Sequence, residues 1–157
     1  MQKLVTQNQV NQNQANNLNS EVSDFQYQLD IRVYYEDTDV AGIVYNANFL
    51  RFFERARTEW LRELCINQAD MLETGVGFVV RRVEMDNLLP AKFNELLTVR
   101  CKITHMRRAS MIFDQSIVNS EGKVVCTGLF TIACVDLAKM KAVQFPANIS
   151  EVLKVAK

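Results

Sequence analysis

The stretch YYEDTDVAGIVYNANF (residues 34–49) interrupts the pattern of the sequence around it. Before it, the segment YQLDIRVYY alternates between apolar and polar residues, which predicts a strand. The strand pattern stops at Glu36, Asp37 and Asp39, the chain crosses Gly42, and a helical pattern begins near Asn46. A short polar turn would suffice to join a strand to a helix, so the acidic residues call for a function of their own.

The helix predicted after this loop has one aromatic face and one charged face. Its apolar residues recur at helical spacing through NFLRFFERARTEWLREL. They are Phe49, Phe52, Phe53, Ala56, Trp60 and Leu64. The charged face is assigned to Arg51, Glu54, Arg55, Arg57, Glu59, Arg62 and Glu63. Arg55 and Glu59 are four residues apart and are expected to pair, so we predict one long helix that is buried on its aromatic side.

The rest of the chain is rich in predicted strands. GFVVRRVEMDNLL reads as a strand ended by Pro90, and LTVRCKITHM alternates with Leu97 to His105 on its core-facing side. SMIFDQSIV and VVCTGLFTIACVD follow as strands joined by a hairpin turn at Gly122, and a short helix is predicted over about 147–155. One strand, one long helix and an antiparallel meander predict an α+β domain, with the sheet wrapped over the helix.

The composition indicates one globular domain over residues 25–157. Residues 1–24 are dominated by Asn and Gln and predict a disordered tail. The chain has 18 basic and 18 acidic residues, so its overall field favours neither nucleic acid nor a membrane surface. It contains no apolar run long enough for a transmembrane segment, and MQKLVTQNQVNQNQ lacks the apolar core of a signal peptide. We therefore expect a cytoplasmic protein with four reduced, mostly buried cysteines.

His105 is the only histidine, and this narrows the possible chemistry. HExxH and multi-histidine zinc sites are excluded, and a Ser-His-Asp or Cys-His arrangement would have to use His105 itself. The sequence has no GxSxG, no complete GxGxxG and no GxxxxGK[ST] motif. Serine, cysteine and zinc hydrolases of the usual kinds are therefore disfavoured, and we expect no metal and no organic cofactor.

Asp39, Gly42 and the helix start at Asn46 together form a candidate site. A helix N-terminus exposes unpaired backbone N–H groups, which can hold a carbonyl oxygen while negative charge develops on it. A nearby carboxylate can attack that carbonyl or deprotonate a water molecule beside it. Gly42 allows the backbone to approach a ligand closely. The residues alone leave open the alternative that the acids cap the helix or lie in solvent.

The segment VYYEDTDVAGIVYNANFLRFFERARTEWL resembles the signature of hotdog-fold acyl-CoA thioesterases of the 4-hydroxybenzoyl-CoA thioesterase class. It is most similar to the bacterial subfamily associated with the Tol–Pal system. The resemblance extends from about Tyr27 to the C-terminus and includes FVVRRVEMDNLLPAKFNELLTV and ACVDLAKMKAVQFP. It implies a long central helix wrapped by an antiparallel sheet, dimers paired edge to edge with active sites at the subunit interface, and homotetramers built from such dimers.

The resemblance also implies roles for individual residues. The second Asp of the D-x-D pair falls on Asp39, which acts in the family as nucleophile or as general base on water. The oxyanion donor falls on the backbone amide of Asn46, and Gly42 and Tyr45 shape the pocket. Asn46 departs from the pattern of the Tol–Pal subfamily, which usually has histidine there, so this chain has no proton shuttle at that place. A backbone donor survives the change.

Further assignments remain open at this level. Arg107 and Arg108 resemble the basic residues that meet coenzyme A phosphates in similar enzymes, and an exposed pair that serves solubility is the alternative. Glu54 and Glu59 are considered because a second hotdog class places its catalytic carboxylate on the central helix. The competing function is a non-catalytic module that binds acyl-CoA or acyl carrier protein. An acyl transferase that uses thioesters is also considered, although no second acceptor site is evident.

Overall fold

The computed structural model describes residues 24–156 as one antiparallel sheet with three helices. The predicted tail over residues 1–24 lies outside this range except for Asp24. The strands are β1 (Tyr27–Arg32), β2 (Val76–Asn87), β3 (Leu96–Met106), β4 (Ser110–Val118), β5 (Val124–Asp136) and β6 (Lys141–Ala142). The helices are α1 (Asn46–Glu63), α2 (Gln68–Glu73) and α3 (Ala147–Ala156), and a single 3-10 turn spans Tyr35–Asp37.

Helix α1 forms where the aromatic periodicity predicts it and buries that face completely. Phe49, Phe52, Phe53 and Trp60 are all buried, and Phe53 lies 5.1 Å from the ring of Phe130 on β5. Aromatic rings at such distances stabilise the fold by more than the burial of their apolar area alone would. The helix is therefore held mainly by tertiary contacts with the sheet, as is usual for amphipathic helices.

The sheet has the strand order β1-β3-β4-β5-β2, with β6 paired to β5. All of these pairings are antiparallel, and the sheet curls around α1. Strands β3, β4 and β5 form the predicted meander, whereas β2 crosses to the far edge and pairs with β5. The expected α+β hotdog architecture is thereby confirmed, and the edge position of β2 is a feature that the alternation of residues did not reveal.

Two residues lie on the opposite side from the one predicted. His105 was expected on the core-facing side of β3, but the register of β3 with β4 shifts between Ile103 and His105, and the histidine is exposed. Such a bulge adds one residue, which turns the following side chains to the other face. Arg57 was assigned to the charged face of α1, but only 6% of its surface is exposed.

Two smaller expectations have mixed outcomes. Glu59 pairs with Arg62, three residues later, and the predicted pair with Arg55 does not form. Three of the four free cysteines are buried, as predicted, whereas Cys65 is exposed just after α1 with a φ of 60°. The short helix α2, which follows Cys65, was not predicted because six residues carry too little periodicity to be recognised.

Gly128 on β5 gives a test of how tightly the sheet and α1 pack. A Cβ at this position would lie 2.5 Å from Cε2 of the buried Phe130 ring and 3.3 Å from Phe53. We expect Gly128→Ala to lower the free energy of unfolding by about 1–3 kcal/mol, since a ring inside a close-packed core cannot move aside freely. Urea denaturation measures the change. Leu129→Ala, on the exposed face next to it, is the control, and equal stability of the Gly128→Ala variant and wild type would contradict the packing argument.

Candidate active site

The acidic stretch forms a short hairpin that leads directly into α1. Thr38 and Val44 pair as an antiparallel bridge, and the Asp39 N–H donates to the Ile43 carbonyl at 2.9 Å. The turn is closed by the Gly42 N–H, which donates to the Asp39 carbonyl at 3.0 Å. Gly42 has a φ of 72°, a left-handed conformation that glycine adopts without steric cost. The glycine therefore serves to place Asp39 at the tip of a defined turn.

Asp37 ties this hairpin to the elements on either side. Its carboxylate is buried and accepts hydrogen bonds from the Tyr34 N–H at 2.8 Å and from Asn48 Nδ2 at 3.1 Å. Its backbone carbonyl accepts from the Tyr45 N–H at 2.9 Å. One residue thus connects the chain after β1 with the start of α1. The sequence alone did not indicate this structural role, because Asp37 is one of several acids in the stretch.

Asp39 presents its carboxylate to the surface. Oδ1 accepts from the Ala41 N–H at 2.8 Å, which orients the side chain within its own turn. The carboxylate lies in an open depression with Thr38 and Gly42, beside the exposed apolar side chains of Tyr35, Val40 and Phe93. An acid that is surrounded by exposed apolar side chains is more typical of a ligand site than of an ordinary polar turn.

The N-terminus of α1 begins a few residues after Asp39 on the same hairpin. Tyr45 is the N-cap residue, and no side chain caps the helix there. The acids therefore do not cap α1, whereas the exposure of Glu36 and Asp39 agrees with the other alternative, in which the acids lie in solvent. Asn46 is the first helical residue, and its N–H belongs to the first turn, where amides have no intrahelical acceptor. The Asn46 amide, together with the positive end of the helix dipole, is the group that can bind a developing negative charge.

Arg107 and Arg108 follow β3 in the connection to β4, and they face different surroundings. Arg107 lies in a depression with Arg81, Arg82 and His105. Arg108 donates from Nε to the side-chain oxygen of Gln144 at 3.0 Å. Arg107 is thus part of a larger basic surface, whereas Arg108 does not line that depression. Within one protomer, this surface is distinct from the depression that contains Asp39.

The two helix carboxylates lie away from the start of α1. Glu54 accepts a hydrogen bond from the Thr58 hydroxyl at 2.6 Å, and Glu59 is paired with Arg62. Both are thereby engaged with neighbours on the helix itself.

A buried polar cluster in the core was not predicted. Arg57 donates to Oε1 of the fully buried Gln115 at 2.7 Å, and its guanidinium lies 4.3 Å from the centre of the Phe130 ring. Gln115 Nε2 in turn lies 2.8 Å from the sulfur of Cys101. Burial lowers the pKa of Arg57 to about 10 and raises the pKa of the Cys101 thiol to about 12. The spacing of Arg57 four residues after Phe53 could have indicated its inward position.

No group of three or more His, Cys, Asp and Glu side chains among residues 24–156 is placed to hold a metal ion. None of the helices in that range is both long enough and apolar enough to span a membrane.

Comparisons with known proteins show the family to which the chain belongs. The Thioesterase-like superfamily matches residues 33–153. The chain is 41% identical over 119 residues to the acyl-CoA thioester hydrolase YbgC of Escherichia coli O6:H1, an alignment that covers 76% of this chain and 89% of that protein. It is 40% identical over 124 residues to the acyl-CoA thioesterase YbgC of Haemophilus influenzae, which covers 78% of this chain and 90% of the relative.

A solved structure shows the same fold at lower sequence identity. The 1,4-dihydroxy-2-naphthoyl-CoA thioesterase Slr0204 from Synechocystis matches with a TM-score of 0.77 at 22% identity, and the match covers 82% of this chain and 95% of that one. A curled antiparallel sheet around one long helix, with an acidic turn that leads into the helix, is the architecture of a hotdog-fold protein. The chain belongs to the Thioesterase-like superfamily.

The role of Asp37 can be tested by removing its carboxylate. In Asp37→Ala, the Tyr34 N–H and Asn48 Nδ2 lose their buried acceptor, so we expect the free energy of unfolding to fall by about 1–3 kcal/mol. Glu36→Ala removes an exposed acid from the same 3-10 turn and is expected to change it by less than about 0.5 kcal/mol. Chemical denaturation of both variants gives the comparison. Equal losses in the two variants would show that Asp37 is not the residue that holds the hairpin.

Proposed function

We propose that this protein hydrolyses acyl-CoA thioesters to a free acid and coenzyme A, in the cytoplasm and without a metal or an organic cofactor. The observation that carries the proposal is the placement of the Asp39 carboxylate on a short hydrogen-bonded hairpin that ends at the uncapped N-terminus of α1. Acyl-CoA is the substrate of the YbgC relatives, whose sequences align with most of this chain.

In the proposed reaction, the thioester carbonyl oxygen accepts a hydrogen bond from the Asn46 N–H. Asp39 either deprotonates a water molecule, which attacks the carbonyl carbon, or attacks that carbon itself and is released by water in a second step. In both routes the C–S bond breaks, the thiolate of coenzyme A leaves and takes up a proton, and water supplies the hydroxyl of the acid. Gly42, in the turn, and Tyr45, at the N-cap of α1, are proposed to shape the pocket.

Arg107 and Arg108 are proposed to bind the phosphates of coenzyme A. Charge-assisted hydrogen bonds from guanidinium groups suit phosphate oxygens. The neighbouring Arg81, Arg82 and His105 enlarge the basic surface around Arg107, which supports its assignment over that of an isolated solubilising pair.

The active form is proposed to be a homo-oligomer, a dimer or a homotetramer. Strand β2 is 12 residues long and lies at the edge of the sheet, paired to β5 only, with half-exposed Val80 and Val83 along it. A long edge strand that exposes apolar side chains is a surface that proteins normally cover. Pairing of two such edges in antiparallel fashion would satisfy the backbone groups and remove these side chains from water.

An alternative proposal is a binding module for acyl-CoA or acyl carrier protein, linked to a Tol–Pal-type envelope assembly. The observation in its favour is Asn46, because the Tol–Pal subfamily usually has histidine there. A binding module would retain the ligand and release no thiol, so turnover separates the two functions.

The first test follows thiol release from a panel of short, long and aromatic acyl-CoAs. Asp39→Asn keeps the size and the hydrogen bond to Ala41 but removes the base, and we expect the rate to fall by at least about 10²-fold. Glu36→Gln, an exposed acid nearby, is the matched control and should retain the wild-type rate. A blank without substrate is needed, since Cys65 is exposed to the thiol reagent. Undiminished turnover by Asp39→Asn would exclude this residue, and no turnover by wild type would favour the binding module.

The Asn46 amide can be removed without disturbing the helix. Proline is well tolerated at the first helical position, and Tyr45 before it already has an extended conformation, φ −60° and ψ 127°. Asn46→Pro lacks the N–H, so we expect the rate to fall by about 10²–10³-fold with the fold retained. Asn46→Ala keeps the N–H and should lose far less. Similar rates for the two variants would show that the Asn46 amide is not the oxyanion donor.

A further inference from the structure

One row of paired residues crosses four strands of the sheet and has a basic residue at each end. Arg82 on β2 pairs with Thr131 on β5, Thr131 pairs with Ile112 on β4, and Ile112 pairs with His105 on β3. All four residues line one depression of about 410 Å³. Neighbouring strands are about 4.8 Å apart, so the two ends of the row are about 14 Å apart, a span that two long side chains can close over a small anion.

A β-bulge precedes each of the two basic residues. The register of β2 with β5 shifts just before Arg82, and the register of β3 with β4 shifts between Ile103 and His105. The extra residue on β3 is Thr104, and without it His105 would lie on the buried face with Ile103. Bulges that re-aim a side chain are frequent beside functional sites. Two of them at opposite ends of one row indicate that the depression serves to collect these side chains.

Positive charge dominates the depression around His105. Its lining contains no carboxylate, and its polar groups besides His105 are three guanidinium groups and two hydroxyls, from Arg81, Arg82, Arg107, Ser110 and Thr131. Neither Arg81 nor Arg107 forms an ion pair with any residue in the range 24–156. Guanidinium and hydroxyl groups are donors that suit phosphate oxygens.

The acids nearest to this depression are engaged with other cations. Glu84 on β2 lies 3.1 Å from Nε of Arg82, and Asp114 on β4 lies 3.7 Å from Nζ of Lys102 on β3. Thr131 is the residue of β5 that lines the depression, and it does not titrate. Arginine keeps its charge throughout the physiological pH range. Among the groups that line the depression, the imidazole of His105 is therefore the one whose charge changes near neutral pH.

We propose that His105 is a phosphate-binding residue for coenzyme A, and that its protonation makes this binding depend on pH. The inference rests on the proposed function, which assigns Arg107, two residues further along the chain, to the phosphates of coenzyme A. Imidazole side chains gain a proton as the pH falls from about 8 to about 5. The imidazolium adds a fourth cation to the three arginines and donates a charge-assisted hydrogen bond to a phosphate oxygen. At alkaline pH the neutral ring no longer attracts the phosphate.

The phosphates of the ligand titrate in the opposite sense. A phosphate monoester loses its second proton near pH 6, so its attraction to the arginines increases as the pH rises. The pH dependence of the wild type alone therefore mixes two effects. The ratio of dissociation constants between a His105 variant and the wild type at the same pH removes the contribution of the ligand, since both proteins bind the same ionic form.

The test is isothermal titration calorimetry of the full chain with coenzyme A, at about pH 6 and at about pH 8.5. A reductant is present because Cys65 is exposed and could otherwise form a disulfide with the ligand. We expect His105→Gln to bind about two- to fivefold more weakly than the wild type at the lower pH, as for an exposed charge pair, and equally well at the higher pH. His105→Lys keeps a cation at both pH values and is expected to bind more tightly than the wild type at the higher pH.

A double variant separates the position of the histidine from its mere presence. His105→Gln combined with Gln28→His moves the imidazole to an exposed site on β1, opposite Arg100 and therefore about 16 Å along β3 from residue 105. It is expected to behave like His105→Gln at both pH values. His105 is exposed, so its replacement leaves the core packing intact, and thermal unfolding without ligand verifies this for every variant.

Several results would overturn the inference. They are a ratio of dissociation constants that is the same at both pH values, recovery of tight binding at low pH by the double variant, and no gain for His105→Lys at high pH. Absence of coenzyme A binding by the wild type at either pH would overturn it as well. Because calorimetry needs no turnover, the proposed function is judged separately. A wild type that releases no thiol yet shows the expected ratios would refute hydrolysis and retain the role of His105.

Discussion

The burial of one face of α1 by the curled sheet is the constraint on which the rest of this structure depends. The rings of Phe53 and Trp60 pack on Phe130 of β5 and Phe113 of β4, at 5.1 and 5.8 Å. The two rings on the sheet side belong to central strands. The helix therefore cannot shift along its axis without breaking the aromatic packing. The position of its N-terminus is fixed as a consequence, and the acidic hairpin is attached to that N-terminus through Asp37.

Local periodicity predicted the elements well but could not predict how the strands are ordered. The spacing of the aromatic residues predicted one helix from near Asn46 to about Leu64, and α1 spans Asn46–Glu63. The spacing is informative because the buried face of a helix recurs every third or fourth residue. The pairing of β2 with β5 depends instead on contacts between residues about fifty positions apart, such as Phe78 and Cys134. The exposed His105 depends on a bulge after Ile103. Neither feature leaves a signal in the alternation of a single strand.

The residues of the candidate site and the core also fall into two groups, those that the sequence identified and those that it did not. Asp39 and Gly42 were identified because an acid and a glycine between two regular elements are conspicuous in the sequence. Asp37 and Arg57 were not, since their importance comes from partners that are distant along the chain. Asp37 bonds to Asn48 on the next element, and Arg57 bonds to Gln115 on β4. Sequence patterns place a charged residue of an amphipathic helix on the solvent side. Only the tertiary structure shows that Arg57 instead contacts a buried glutamine and an aromatic ring.

The environment of Asp39 bears on how a single carboxylate and one amide could act on a thioester. In one protomer the carboxylate is exposed, and a charge in water interacts only weakly with a nearby dipole. The exposed Tyr35, Val40 and Phe93 around it are apolar, however, so any molecule that covers them also removes water from Asp39. The substrate and a second protomer are both able to do so. For the proposed reaction, we infer that substrate binding and a second protomer lower the polarity around Asp39, and that the Asn46 N–H stabilises the oxyanion without a histidine at position 46.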